Sequence, residues 1–462
     1  MNSYLTVVEL SSTKVTVVVG QNTDFEAKIV AHCIVPIRKG IRRGDVENQK
    51  KVVDALNIAI EKAESEVSCC IREITLCLWG QNIRNEKVKV SRERKRPDDS
   101  ISSEEIKSLN NESLKFKVNS DERIMKSIPQ SYDIDDRIGI APDELEGMKG
   151  SKIDAYYEVI IGKESSIRNK YEVIKAAGLS VLHTIISPIG SAMATLKQNE
   201  SENGVVLLDI GAGTTDIVIV KDHIVRFVAC IPFAGQSVTD DIKTVACITA
   251  EMAELVKTKY GKCIADGVND TMKLVIQGAG GIGNTDVELL KLVQVIEARM
   301  TEIFEAVKYV IEQSGFWNKI PAGFVITGGT CYMEYIRDLA KAVFEKNVRL
   351  GNASGNISDN STESSFDANS SSAVGSLICG RNEIDVLYTT QQVPSVDLSS
   401  SQSTNIFGED LPKTEEAMVK SNSGGRLFGG KKGPKQNKEK QNKSSISNVF
   451  GSLFDGQLNN NA

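Results

Sequence analysis

The sequence is short of histidine and aromatic side chains and has no long apolar run. None of its 462 residues falls in a stretch approaching the roughly eighteen consecutive apolar residues of a spanning helix, so no such helix is expected. Only three histidines occur (His32, His183, His223), none with a Cys or His neighbour at metal-ligand spacing, and no chemistry is assigned to them. Nine cysteines are present without a C-x-x-C pair; Cys69 and Cys70 are adjacent and the rest lie scattered in apolar stretches. An odd, unpatterned set fits a reducing cytosol and reads as buried free thiols rather than metal ligands. The N-terminus "MNSYLTVVELSSTKVTVVVG" has no small-residue cleavage site and is interrupted by Glu9 and Lys14, so it reads as strands and not as a signal peptide.

What is present is unevenly placed charge. The net charge is -6, yet residues 421–443 carry Arg426 and six lysines (Lys431, Lys432, Lys435, Lys438, Lys440, Lys443) against Glu439 alone. The rest of the chain is therefore acidic and a poor partner for nucleic acid, whereas the tail suits a polyanion, anionic lipid included. Just beyond the basic segment, "SSISNVFGSLFDG" places Ile446, Val449, Phe450, Leu453 and Phe454 at i, i+3, i+4, i+7 and i+8. That spacing is one apolar face of a short helix. From about residue 381 to the basic segment the composition is that of a disordered linker.

Two stretches resemble one another: "YLTVVELSSTKVTVVVG" (4–20) and "GVVLLDIGAGTTDIVIV" (204–220). Each is an apolar strand, a turn of small and hydroxyl residues, and a β-branched strand. A repeated strand–turn–strand unit predicts two related α/β halves facing one another. Helical periods run over 47–67, 164–179, 187–198, 236–261 and 286–315, the last with Gly315 as its cap. "IREITLCLWG" (71–80) reads as a strand, 84–163 as a small α+β unit, and 322–344 as strand, Gly-Gly turn and helix. "GNASGNISDNSTESSFDANSSS" (351–372) reads as a mobile low-complexity loop, and "AVGSLICG" (373–380) as a last short helix.

The turn in "LLDIGAGTTDIVIV" carries the sharpest chemistry. Gly211 and Gly213 let the backbone approach a ligand, and the N–H groups with the Thr214 and Thr215 hydroxyls suit phosphate oxygens. Asp209, at the strand end, is placed to hold a hydrated Mg2+. "ELSSTK" would be the opposite lip, with Ser11, Ser12 and Thr13 as donors and Lys14 as positive charge; a polar β-turn would look the same. In "FVITGGT", Gly328, Gly329 and Thr330 allow close approach of a nucleoside at a helix start, or simply a helix entry that needs glycine. Glu254 and Lys257, one helical turn apart, could grip a ribose and a purine edge, or could be an i,i+3 ion pair.

In this order the motifs resemble the actin-like ATPase superfamily. The segments "IRRGDVENQKKVVDALNIAIEKAE", "PQSYDIDD", "VIKAAGLSVLHTIISPIGSAMATL", "IPFAGQSVTDDI", "AELVKTKYG" and "IPAGFVITGGT" narrow the resemblance to the FtsA family of bacterial cell-division proteins, over about residues 1–380. The tail is similar to that family's linker and amphipathic membrane-targeting helix. The resemblance implies an α/β actin-like fold, two duplicated lobes around ATP and Mg2+, and an inserted subdomain. It divides the chain into 1–83 and 164–198 (subdomain 1A), 84–163 (1C), 199–235 and 316–380 (2A with a closing helix), 236–315 (2B), a linker 381–443 and the helix 444–456. It implies that Gly235 joins the nucleotide contacts and that Glu9 and Asp209 position metal and water. The implied partners are FtsZ, further copies of the chain, anionic inner-membrane lipid and later divisome proteins, at the cytoplasmic face of the division septum.

Where the family has approximately Asp-Ile-Gly-Thr-Ser-Lys, this chain has Glu9-Leu10-Ser11-Ser12-Thr13-Lys14. Glu9 is one methylene longer, and Ser11 brings a Cβ where backbone would approach phosphate, so binding is expected with slow or absent hydrolysis. A small-molecule phosphotransferase of the same superfamily is the alternative; it has no need of the terminal stripe. A chaperone-type ATPase would need a β-domain after residue 380, and an actin-like pilus adaptor lacks such a tail.

Overall fold

In the computed structural model, residues 4–22, 27–276, 285–354, 357–358, 361–362 and 366–381 are described. All belong to one compact unit. The linker, the basic segment and the stripe Ile446, Val449, Phe450, Leu453 and Phe454 lie outside these residues.

Two five-stranded sheets share one plan. In the first, the order is Ser180–Ile186, Glu73–Leu78, Tyr4–Leu10, Lys14–Asn22, Ala27–Pro36. In the second, it is Val348–Leu350, Phe324–Thr327, Val205–Ile210, Thr215–Lys221, Ile224–Ile231. Both have an antiparallel hairpin at the centre, a third antiparallel strand on one side and two parallel strands on the other. The duplication read from the two similar stretches is therefore present strand for strand. The central strands are apolar and buried on both faces (Val205, Val206, Leu207 and Leu208 are fully buried), as a sheet covered by helices requires.

Residues 83–163 form a separate antiparallel sheet in the order Ile83–Glu93, Lys152–Lys163, Glu122–Ile134, Arg137–Ile140, covered by the helix Ser103–Ser113. Its own core contains Leu109, Tyr132 and Tyr157, the two rings meeting edge to face at 6.4 Å. The helix Gly235–Ala246 packs against both Ala250–Tyr260 and Leu289–Gln313 beyond the second sheet. The closing helix Ser371–Arg381 returns to the first sheet, with Leu377 buried among Val7, Val18 and Ile29.

Four sequence expectations are corrected. The helix expected from 286 begins at Leu289, because Thr285–Glu288 forms a strand against Lys273–Ile276. Val287 points inward between an exposed Asp286 and a half-buried Glu288, a period of two hidden at the head of a helical pattern. The helical run 236–261 is broken at Cys247, which adopts φ 53° and caps the first helix, while Thr249 caps the second. Cys69, Cys70 and Cys247 are exposed rather than buried, because the chain leaves the core at these helix ends.

The fourth concerns the serine-rich stretch 351–372, in which Ile357, Ser358, Ser361 and Thr362 lie along the outer strand of the first sheet, while Gly351 and Ser354 bond to the Ile326 and Ala194 carbonyls. Ile357 bridges Ala27, the Ser358 N–H donates to the Ala27 carbonyl, and the Ile29 N–H donates to Ser361 Oγ at 3.0 Å. Ala353 and Ile357 are buried in the adjoining core. Composition suggests mobility, but these hydroxyls and amides satisfy an otherwise open strand edge.

Candidate functional site

The two hairpin turns lie against one another at the junction of the halves. Each is closed by the same bond: the Ser11 N–H donates to the Lys14 carbonyl and the Gly211 N–H to the Thr214 carbonyl, both at 3.0 Å. A Cβ added to Gly213 would stand 2.3 Å from Ser12 Oγ, so a side chain there would collide with the opposite lip. The paired-turn arrangement expected from "ELSSTK" and "GAGTTD" is thus brought together by the fold.

Several candidate donors are already engaged. Ser11 Oγ donates to the Lys14 carbonyl at 3.0 Å, inside its own turn. Lys14 Nζ donates to the Asn369 carbonyl at 2.5 Å. Thr13 is tied only by its backbone, its carbonyl accepting from the Ile37 N–H, and its side chain is exposed. Thr215 is fully buried and its hydroxyl donates to the Phe233 carbonyl at 2.7 Å. Ser12 and Thr214 are both half-buried beside Gly211 and Gly213 on the lips, and the Thr214 side chain hydrogen-bonds Asp216.

The third motif joins them. Thr330 Oγ1 donates to the Gly211 carbonyl at 2.8 Å, and the Gly235 N–H reaches the same oxygen at 3.1 Å. Gly328 has φ 86°, and a Cβ there would stand 2.3 Å from Asp209 Oδ1 and 2.6 Å from the Ile210 carbonyl oxygen, so only glycine fits. Gly329 abuts the Asn369 side chain. The helix expected to open directly after these glycines starts later, at Ile336; a short 3-10 turn, Gly329–Tyr332, intervenes. The helix N-terminus is therefore not at this turn. Lys257 donates to the Gly235 carbonyl at 3.0 Å and to Thr239 Oγ1 at 2.8 Å, and pairs with Glu254 at 2.7 Å. The i,i+3 pair is formed, and it stands beside the glycine that joins the second turn.

The acids are unevenly placed. Asp209 keeps part of its surface open. Burial nevertheless pushes its carboxyl up to about 6; the Ser191 hydroxyl, donating at 2.6 Å, opposes this, Glu9 adds to it and Lys14 opposes it. Directly across the hairpin, Asp216 pairs in register with Asp209 and is pushed up to about 8, by burial first and by Asp209 second. Among the described residues no three His, Cys, Asp or Glu side chains converge to hold a metal ion. A divalent cation at Asp209 would have to arrive with water and phosphate oxygens as its other ligands, which is how Mg2+ is usually held.

Sequence reasoning missed Ser191, Asp216, Arg43, Lys170 and Asn369. Asp216 lies inside the motif itself and could have been found by its period-two offset from Thr214. Ser191 lies in the small-residue helix Ser187–Thr195 and Asn369 in the serine-rich stretch, where composition gives no signal. Lys170 is buried with its ammonium on the Trp79 carbonyl, and burial lowers its pKa against the pull of Asp45, Glu9 and Asp216.

The family profile described as cell division protein FtsA matches residues 206–375. The cell division protein FtsA of Pseudomonas aeruginosa is 30% identical over 349 residues, covering 74% of this chain and 81% of that protein. Those of Neisseria meningitidis and Escherichia coli K12 are each 29% identical, covering 75% and 74% of this chain and 83% and 82% of theirs. Among solved structures, the PilM-PilN type IV pilus biogenesis complex superposes with a TM-score of 0.60 at 14% identity, over 82% of this chain and 99% of that one. MreB5 of Spiroplasma citri bound to ADP gives 0.50 at 13% identity, over 82% and 97%. These likenesses establish an actin-like ATPase fold.

Proposed function

The chain belongs to the FtsA family of cell-division proteins, and from that premise we propose that it is a nucleotide-dependent adaptor that ties the division ring to the membrane. The observation that carries the nucleotide half of this reading is the meeting of the two phosphate-type turns at Ser12 and Gly213, with the Gly328–Thr330 turn joined to the same Gly211 carbonyl. What supports a nucleoside triphosphate here is the side-chain-free Gly213 facing the Ser12 hydroxyl; a Cβ on Gly213 would collide with that hydroxyl, so the lips rest on one another and a ligand would part them. Asp209, with Glu9 beside it, would hold a hydrated Mg2+; Gly235, Glu254 and Lys257 would face the ribose and base, and Gly328, Gly329 and Thr330 the adenosine side. ATP with Mg2+ would supply a multivalent anion that bridges the lobes. The chain's part is to bind it across both lips and so set their closure, which in turn sets contacts with other copies. Glu9 and Ser11 make hydrolysis slow, because Ser11 already spends its proton within the turn and neither residue matches the type found there in the family's sequence pattern.

The membrane half rests on the tail sequence. Ile446, Val449, Phe450, Leu453 and Phe454 would each give roughly 1.5–3 kcal/mol on full burial, less at an interface. The preceding lysines add about 1 kcal/mol each near anionic lipid. Offset by the ordering of a segment too short to be helical alone, one tail binds weakly and reversibly. Several tails on one filament bind far more tightly through effective concentration. The chain would thus polymerise, bind FtsZ, hold it at the cytoplasmic face of the inner membrane at the septum, and recruit later divisome proteins. Co-sedimentation with vesicles containing anionic lipid tests this, comparing the full chain with one ending at residue 443. The full chain should pellet and the shortened one should not; equal binding would sink the adaptor reading.

A further inference from the structure

Four cations surround the paired turns, and three are already given to acceptors. Lys14 is on the Asn369 carbonyl, Lys170 on the Trp79 carbonyl, and Lys257 on Glu254 and the Gly235 carbonyl. The fourth is Arg43. Among the described residues no carboxylate lies within ion-pair distance of its guanidinium, which stacks 5.6 Å over the Phe233 ring. Phe233 belongs to the other half, where its carbonyl accepts the Thr215 hydroxyl. A guanidinium has five donors and no acceptor capacity, and an aromatic face satisfies none of them fully.

The position of Arg43 is fixed by its backbone. It sits at φ 50° on the turn "IRRGD", its carbonyl accepts the Gln81 N–H at 3.1 Å, and the next residue, Gly44, packs on Gly80. Its Cα stands 3.2 Å from where a Cβ of Gly213 would be, next to Ser12 Oγ. The half-buried side chain therefore starts at the point where the two lips touch.

We infer that Arg43 is the residue that distinguishes a nucleoside triphosphate from a diphosphate in this cleft, by leaving Phe233 to pair with the terminal phosphate. Planar, bidentate pairing with phosphate is what an arginine without an acid partner is suited to. The movement also removes a lobe-to-lobe contact, so the triphosphate state replaces a cation–aromatic bridge with an anion-centred one. The inference rests on the nucleotide reading of the cleft.

The test is a calorimetric titration of the full chain with ATP and, separately, with ADP, both with Mg2+. It compares the native protein with Arg43→Ala, Arg43→Lys and Phe233→Leu. Arg43→Ala should weaken ATP by roughly tenfold or more, the scale of one lost charge-assisted contact, and leave ADP within about twofold. Arg43→Lys should recover part of the ATP affinity, and Phe233→Leu should raise the ATP-to-ADP ratio, since ATP no longer has to break the ring contact. Equal weakening of both nucleotides by Arg43→Ala, or the same loss of ratio in Phe233→Leu, would make Arg43 a structural prop and overturn the inference. Binding of both nucleotides unchanged in Arg43→Ala overturns it while leaving the nucleotide reading standing. A native chain that takes up neither nucleotide overturns both.

Discussion

Replacing Gly328 by alanine perturbs the site through packing and backbone at once. Its φ of 86° with ψ 167° is backbone that essentially only glycine adopts, and costs an L-residue about 1–3 kcal/mol. The added Cβ would stand 2.3 Å from Asp209 Oδ1, 2.6 Å from the Ile210 carbonyl oxygen and 2.8 Å from its carbon, so about 1 Å of movement is needed to restore ordinary contact. Asp209 can turn away, but the Ile210 backbone cannot easily follow, since Asp209 is registered beside Thr327 in the sheet. Overpacking of this kind adds about 1–3 kcal/mol. Gly178 supplies the control: its φ is 75°, with nothing within 4 Å of its Cβ position. Urea unfolding of the full chain should therefore show Gly178→Ala losing only the backbone part, about 1–2 kcal/mol. Gly328→Ala should lose about 2–6 kcal/mol. Equal midpoints for the two variants would refute the claim that the Gly-Gly turn is glycine because Asp209 and Ile210 press on it.

Further outcomes follow from the same reasoning. Glu158 is 4% exposed within the inserted sheet and burial raises its carboxyl to about 8, against the pull of Lys87. An acid raised in this way is neutral in both states at low pH and costs stability as pH rises from its unfolded value of 4.5 through 8. Glu158→Gln should match the native midpoint near pH 4 and exceed it near pH 8, by about 1.4 kcal/mol for each pH unit of that gap; a variant no more stable near pH 8 contradicts this. Phe450→Glu should release the full chain from vesicles, and a variant that still pellets would move the anchor to the lysines or another surface. Phosphate release by the native chain should be near background, and the double change Glu9→Asp with Ser11→Gly should raise it. Turnover of several per second in the native chain would overturn the account of the first turn.

The hairpins were legible because each pairs β-branched strands with a turn of small and hydroxyl residues, a local signal on both sides. The duplication extended further than that signal, to the order and direction of all five strands in each half. What the sequence hid was set by tertiary context. Thr215 carries a hydroxyl in the motif, but the strand alternation turns it inward to the Phe233 carbonyl. Ser11 matches a donor by type and is consumed by its own turn. Lys14 finds Asn369, far along the chain in a stretch whose composition suggests no structure. Thr285–Glu288 was lost to the helical period of the residues after it, and Arg43 had no motif to announce it, since its place beside Gly213 exists only once the halves meet.

The central claim is that the two turns hold one nucleotide between them. Amide hydrogen exchange of the full chain, with and without saturating ATP and Mg2+, tests it most directly. The account predicts that the amides of residues 11–14 and 211–215 gain protection together, with residues 328–330 following. Protection of neither turn, or of one lip without the other, would contradict it.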